Sequence, residues 1–291
     1  MTRAASSPVN CLSCWLLVAV IAVTGAAQPA HAQSTFARVV EDDGRPRALQ
    51  IAIVSYENPA RRRSARVDLI GAVHIGDEAY YAALNERFRR YDAVLFELVA
   101  PQGTIITPDT EITGFLSGTQ RMMTRMLDLS FQLEKIDYTL PNFVHADLSP
   151  DEMSASMAER NESLYTYFWR IFIAAMREYS RDPLGMRNYE RMDSALSAGS
   201  ENSLKVMMAY DFADLDRYRH MLGNDADNAV IGARNQRAID VLLQQLQNGS
   251  RRIGIFYGLA HMPDFEDKLA ALGYEPVDVD WVDAWALTAT P

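Results

Sequence analysis

The sequence predicts an α/β fold in which strand and helix patterns alternate at both ends of the chain. Short runs of apolar and β-branched residues alternate with helical patterns in residues 33–109 and again in residues 228–291. Residues 110–227 differ, because they are rich in Met, Arg and aromatic residues and contain no comparable strand-like runs. We therefore expect two β/α repeats that form one central sheet, with a long, mostly helical insert between them.

The first repeat is predicted to run strand, strand, strand, helix, strand. Its strand-like runs are ARVV, ALQIAIVSYE, ARVDLIGAVH and DAVLFELV, and the helical stretch of residues 78–90 separates the last two. The second repeat begins with a long helix through ARNQRAIDVLLQQLQ. It continues with the strand RIGIFYGLAH, the helix FEDKLAALG and a short strand EPVDVDWV. A strand, helix, strand connection normally makes the two strands parallel, so the last two strands of the first repeat should end at the same sheet edge.

Residues 1–32 have the pattern of a cleaved export signal. Arg3 precedes an apolar stretch over residues 12–27, and Ala30-His31-Ala32 provides a small-x-small cleavage site before Gln33. We expect a periplasmic or secreted protein with no stable membrane span after cleavage, whose mature chain is a single domain over residues 33–291.

Composition narrows the chemistry of the mature chain. Both cysteines lie inside the predicted signal, which excludes thiolate metal sites, cysteine nucleophiles and disulfides from the mature protein. The net charge is -10, and nucleic-acid binding needs clustered, unbalanced Lys and Arg. We therefore expect no nucleic-acid partner, and the sequence leaves the oligomeric state open.

The pattern Gly-x-x-His occurs twice, each time at the end of a strand-like run. The first copy contains Gly71 and His74, and the second contains Gly258 and His261. Functional side chains in α/β sheets gather beyond the carboxyl ends of strands, and a glycine there permits a positive φ or a close backbone approach. A single histidine of this kind is usually an ordinary strand-end residue. Two copies in the same setting favour a shared site.

Glu97 ends the strand DAVLFELV and should therefore lie at the same sheet edge as His74. A carboxylate with apolar neighbours must be paired, protonated or bound to a metal if it is buried. A salt bridge to an arginine is the structural alternative. Two histidines and a glutamate from three strand ends also form a plausible ligand set for a divalent metal with an open position.

These motifs resemble the TraB/PrgY/GumN family, which is related to the TIKI metalloproteases. The resemblance is carried by GAVHIG, the strand DAVLFELV, the helix that opens with Arg234-Asn235, IFYGLAHM, and Gly273-Tyr274 before the last strand. It implies a fold like that of the ChaN and erythromycin esterase superfamily, with the site where two β/α repeats meet. The functional positions it implies are Gly71, His74, Glu97, Arg234, Gly258 and His261.

The chemistry that we expect is metal-assisted hydrolysis of a peptide or small-molecule substrate. His74 and His261 would bind a divalent transition metal (Mn, Co or Zn), with Glu97 as third ligand or as general base. Arg234 would stabilise an oxyanion or a substrate carboxylate, or else act as a structural partner for Glu97. Two further interpretations remain open. In the first, the protein binds haem or a metal without turnover, since ChaN-like relatives bind haem. In the second, it is a repurposed structural scaffold.

Three residues are weaker candidates for positions around the site. Asp77 and Asp264 each follow a motif histidine by three positions, so they either orient the imidazole or cap the predicted helix that follows. Capping is the favoured interpretation. His145 either lies near the cleft or packs in the core, and packing is favoured. The apolar stretch of residues 163–176 is interpreted as a buried helix, with a substrate lid or a membrane-facing surface as the alternative.

Overall fold

A computed structural model describes residues 35–61, 63–101, 103–104, 129–160, 203–214 and 229–288. The predicted signal and the apolar stretch of residues 163–176 lie outside these residues. Gln33–Pro291 groups into one compact unit by its contacts. None of the helices in the described ranges has the length and hydrophobicity needed to cross a bilayer.

The described part of the chain contains a main sheet of seven strands. These strands are β1 (Ala37–Asp42), β2 (Arg45–Glu57), β3 (Arg66–Ala72), β5 (Ala93–Phe96), β7 (Phe143–His145), β8 (Arg252–Gly258) and β9 (Glu275–Ala286). Along the sheet the order is β1-β2-β3-β8-β5-β7, and β9 pairs with β2. A separate antiparallel pair consists of β4 (Ile75–Gly76) and β6 (Ser130–Phe131).

The sheet is parallel in one half and antiparallel in the other. Neighbouring strands among β3, β8, β5 and β7 are parallel, whereas β2 is antiparallel to β1, β3 and β9. The strands β3, β5 and β8 are buried along nearly their whole length. Their continuous apolar runs follow from this burial, since helices cover both faces of a parallel sheet.

Helices connect and cover these strands. They are α1 (Glu78–Phe88), α2 (Gln132–Lys135), α3 (Pro150–Glu159), α4 (Ser203–Ala213), α5 (Arg234–Gln247) and α6 (Met262–Ala271). A π-helical turn, Ala229–Ala233, leads into α5, and a 3-10 turn, Leu259–His261, leads into α6. The start of α3 is a capping box, in which the Ser149 hydroxyl accepts from the Glu152 N–H and the Glu152 carboxylate accepts from the Ser149 N–H.

The predicted mixed α/β class is confirmed, and one detail of the prediction is wrong. The insert, predicted to be mostly helical, also contains the short strand β7, which extends the parallel half of the sheet beside β5. The last strand is not short. It has 12 residues and runs antiparallel to β2 from Ala48 to Glu57, so its pairing partner lies in the first part of the chain.

Candidate functional site

Three of the predicted site residues meet at the carboxyl edge of the parallel strands. His74 follows β3, Glu97 follows β5 directly, and His261 ends the 3-10 turn after β8. Because β8 lies between β3 and β5 and is parallel to both, the three strand ends are neighbours. All three side chains line one cavity of about 200 Å³. The structure therefore brings both motif histidines and the glutamate together.

Glu97 is held on both carboxylate oxygens. Its Oε1 accepts a hydrogen bond of 2.6 Å from Arg234 Nη2, and its Oε2 accepts one of 2.6 Å from the Gly258 N–H. Burial alone would raise the pKa of Glu97, but His261, the Arg234 guanidinium, His74 and the Gly258 N–H together lower it to about 2. The contribution of His261 applies only where its imidazole is protonated, so at neutral pH the Arg234 guanidinium and the Gly258 N–H keep Glu97 an anion.

Arg234 is shared between Glu97 and a second carboxylate, that of Asp147. The guanidinium donates from Nε to Asp147 Oδ1 at 2.9 Å and from Nη2 to Oδ2 at 2.6 Å, a bidentate arrangement. The Asp147 side chain has no solvent exposure. Burial alone would lower the pKa of Arg234, but Asp147 and Glu97 raise it, so the guanidinium stays charged.

Asp147 was not among the residues predicted from the sequence. It lies in the insert, two residues beyond the end of β7. That strand is short, and its three residues are only partly buried. The sequence nevertheless contains a feature that could have identified Asp147. Asp147 follows a predicted site candidate, His145, in the segment FVHADL.

His261 is a buried, neutral imidazole at neutral pH. Burial lowers its pKa to about 4 with help from the Arg234 guanidinium, and this effect outweighs the opposing charge of Glu97. Its Nδ1 lies 2.5 Å from Asn235 Oδ1, and its Nε2 lies 3.6 Å from Glu97 Oε1. The Tyr257 ring packs edge-on against the imidazole, with centroids 5.2 Å apart.

The buried cluster contains more carboxyl groups than guanidinium groups. Glu97 and Asp147 both accept hydrogen bonds from the one guanidinium of Arg234, and His261 lies beside them with a lowered pKa. An uncompensated buried charge is costly, and a bound cation would offset it.

The residues at the cavity fit a divalent cation in part. Among the described residues, no group of three or more His, Cys, Asp or Glu side chains is arranged as a complete metal site. The 3.6 Å between Glu97 Oε1 and His261 Nε2 can nevertheless be spanned by two ligand bonds of about 2.1 Å each. His74 is exposed and lines the same cavity, so its side chain can rotate without disturbing the core.

Both motif glycines are needed for close approach and not for a positive φ. A Cβ at Gly71 would lie 2.8 Å from Leu259 Cδ1 and 3.1 Å from Ile51 Cγ2, and a Cβ at Gly258 would lie 3.1 Å from Glu97 Oε2. Neither glycine has a φ in the left-handed region. A side chain at either position would press on the elements that shape the cavity.

The capping role predicted for Asp77 and Asp264 is wrong. Asp77 stands at the N-cap position of α1 but forms no capping bond, and its carboxylate accepts instead from the Ala286 N–H and Lys205 Nζ. Asp264 lies inside the first turn of α6, because that helix begins at Met262. Its buried carboxylate accepts from Asn235 Nδ2 at 2.8 Å, so it reaches His261 only through Asn235.

His145 packs beside the site without lining the cavity. It ends β7 opposite Phe96 of β5, and the two rings are 5.7 Å apart. Its Nε2 lies 2.6 Å from the carbonyl oxygen of Leu98. This contact holds β7 against the residues that flank Glu97.

Comparison with known proteins assigns no family to this chain. A scan against protein-family models and a search of curated proteins both found no match. The functional interpretation therefore depends on the geometry of the cavity and on the sequence motifs.

Proposed function

We propose that this protein is an exported metal-dependent hydrolase of the TraB/PrgY/GumN type that acts on a peptide or ester. The observation that carries the proposal is the convergence of His74, Glu97 and His261 on one cavity, next to a buried cluster in which one guanidinium serves two carboxyl groups. Imidazole and carboxylate groups are the ligands that Mn, Co and Zn accept in proteins.

His261 Nε2 and Glu97 Oε1 would hold the cation, with His74 as the third ligand. A divalent cation held by these residues would polarise a scissile carbonyl and would lower the pKa of a bound water toward neutrality. The residues themselves supply the preorganisation, since hydrogen bonds already fix the carboxylate and the imidazole in place.

The surroundings of Glu97 favour the ligand role over the general-base role. A carboxylate with a pKa of about 2 accepts a proton weakly, and both of its oxygens already accept hydrogen bonds. The contacts of Arg234 likewise favour its role as a structural partner for Glu97 over the role of stabilising an oxyanion. Its Nε and Nη2 donate to the two carboxyl groups, and Nη1 makes longer contacts of 3.5 Å with the Val230 carbonyl oxygen and His261 Nε2.

The apolar lining of the cavity indicates a substrate with a small apolar group next to the reacting bond. Val73, Phe212 and Leu259 line the cavity beside the polar residues. As bounded by the described residues, its volume of about 200 Å³ is below the ~300 to 1,000 Å³ typical of pockets for larger ligands. This size favours one residue-sized group over a large planar cofactor such as haem.

Metal analysis of four proteins tests the proposal. We expect stoichiometric transition metal in the wild type, and its loss in His74→Ala and His261→Ala. The matched control is His145→Ala, which removes a nearby histidine that does not line the cavity. Circular dichroism should show that all four proteins are folded. Equal metal content in all four would contradict a shared site.

Turnover is tested with a panel of peptides and esters in the presence of Mn, Co or Zn. We expect the wild type to hydrolyse one class, and Glu97→Gln to lose both metal and activity because the amide is a poor ligand. Stoichiometric metal without turnover of any substrate would favour the metal-binding alternative over the hydrolase.

A further inference from the structure

Asn235, the second residue of α5, is oriented by the two oxygen atoms that its amide nitrogen contacts. It is fully buried, and its Nδ2 donates to Asp264 Oδ2 at 2.8 Å and to the His261 carbonyl oxygen at 3.1 Å. A backbone carbonyl oxygen can only accept, so the amide nitrogen must face the His261 carbonyl, and Asp264 accepts from the same nitrogen. The orientation of the Asn235 side chain therefore follows from its neighbours and not from a choice between similar atoms.

This orientation decides which nitrogen of His261 carries the proton. With its nitrogen turned to Asp264, Asn235 presents its carbonyl oxygen to His261 Nδ1 at 2.5 Å. A carbonyl oxygen only accepts, so Nδ1 must be the donor. In a neutral imidazole the other nitrogen, Nε2, then has the free lone pair. Arg234 Nη1, itself only a donor, lies 3.5 Å from Nε2 and agrees with that arrangement.

The Glu97 carboxylate would favour the other tautomer of His261, in which Nε2 carries the proton. Its Oε1 lies 3.6 Å from Nε2, and a small movement would let it accept a hydrogen bond from a protonated Nε2. In that tautomer the lone pair of Nδ1 would face the lone pairs of Asn235 Oδ1 across 2.5 Å. A buried hydrogen bond would be lost and replaced by repulsion, which is unfavourable.

We propose that Asn235, held by Asp264, is a positioning residue that fixes His261 as the Nδ1–H tautomer and so presents the Nε2 lone pair to the cavity. The use of that lone pair as a metal ligand rests on the function proposed above. The tautomer itself is a property of the metal-free protein and can be measured without any metal.

Nuclear magnetic resonance of the metal-free full-length protein, labelled with ¹⁵N-histidine, measures the tautomer directly. The two-bond correlation pattern of the ring distinguishes Nδ1–H from Nε2–H, and loss of the signal in His261→Gln assigns it. At neutral pH we expect the Nδ1–H tautomer to outnumber the Nε2–H tautomer by about tenfold or more in the wild type. The free energy of one buried hydrogen bond is enough to produce a ratio of this size. In Asn235→Leu we expect this preference to disappear.

Two further variants separate positioning from a purely structural role. Asn142 is the matched control, because its side chain also clamps two carbonyl oxygens, those of Phe88 and Tyr91, but lies away from His261. Asn142→Leu should leave the tautomer unchanged. Asp264→Asn keeps an oxygen that can accept from Asn235, so it should retain Nδ1–H, whereas Asp264→Leu should shift the ring toward Nε2–H.

Predominant Nε2–H in the wild type would overturn the proposal, and that measurement does not depend on whether any variant folds. Folded Asn235→Leu or Asp264→Leu protein with an unchanged Nδ1–H signal would also overturn it. The proposed function fails independently, through an absence of metal in the wild type. Metal bound by the wild type should bind about ten to one hundred times more weakly to Asn235→Leu, as for other residues that orient a ligand.

Discussion

The two ends of the parallel strands use similar residues in different environments. At the carboxyl end, Arg234 and Asp147 are buried, with side-chain exposures of 10% and 0%. At the amino end, a groove of about 300 Å³ is lined by four arginines, two aspartates and a tyrosine. There the Arg66 side chain is 39% exposed and pairs with Asp278 of β9 at 2.8 Å.

This difference shows that burial, and not the number of ion pairs, distinguishes the candidate site. The exposed pairs at the amino end are screened by water and salt, so each contributes little. The buried pairs at the carboxyl end depend on one another, since removing one partner leaves a charge without compensation. At the amino end Asp68 is also buried, but its partner Arg66 is 39% exposed, whereas at the carboxyl end both Arg234 and Asp147 are buried.

The largest expected effect comes from breaking the buried cluster. Arg234→Leu leaves Glu97 and Asp147 without their shared partner, and we expect the free energy of unfolding to fall by about 3 to 5 kcal/mol. Chemical denaturation measures this change. The double variant Arg234→Leu/Asp147→Leu should recover part of the loss, because one of the two stranded carboxylates is removed. A loss below about 1 kcal/mol in Arg234→Leu would contradict the buried-cluster interpretation.

Lowering the pH should destabilise the folded protein at the carboxyl end of the parallel strands, because His261 becomes protonated there. The pKa of His261 is about 4 in the folded protein and 6.5 for the ordinary group, so its contribution is present above pH 6.5 and lost as the pH falls toward 4. The lost stability amounts to about 3 kcal/mol. Denaturation of metal-free protein across this pH range should show a steeper loss for the wild type than for His261→Gln. Parallel profiles would contradict the low pKa.

A smaller effect is expected from adding one methyl group beneath the cavity. Gly71→Ala places a Cβ where Leu259 Cδ1 would be only 2.8 Å away. Leu259 Cδ1 ends a flexible side chain and can move, so the stiffer limit is Ile51 Cγ2 at 3.1 Å, and we expect the free energy of unfolding to fall by about 1 kcal/mol. Thermal and chemical denaturation measure it. An unchanged free energy of unfolding would contradict this expectation and would show that the turn after β8 can move to accommodate the added methyl group.

The smallest effect is expected at the amino end. Arg252 is 62% exposed and lies 3.7 Å from Asp92. We expect Arg252→Leu to change the free energy of unfolding by no more than about 0.5 kcal/mol and to leave metal content unaltered. A loss comparable to that of Arg234→Leu would erase the contrast between the two ends.

Much of this arrangement was predictable from local patterns. The apolar runs before His74, Glu97 and His261 indicated strands, and parallel connections placed their ends at one edge. The run DAVLFELV is a strand only over Ala93–Phe96, but the predicted bounds of α1 and α5 agree with the structure to within two residues. These elements are long enough for hydrophobic periodicity to identify them.

The rest required tertiary information. The strand β7 has three residues, too few for a period, so neither its place in the sheet nor the position of Asp147 was predicted. The start of α6 at Met262 turns Asp264 inward, and a helix boundary is uncertain by a few residues when only sequence is known. The contact between Asn235 and His261 joins two helices and leaves no local pattern.

The short strand β7 also limits how far the chain can be reduced. A version that joined the two outer parts directly would lack Asp147, would leave Arg234 with only Glu97 as a strong acceptor, and would expose one backbone edge of β5. Residues 129–148 should therefore be kept in any shortened protein intended for crystallisation or engineering.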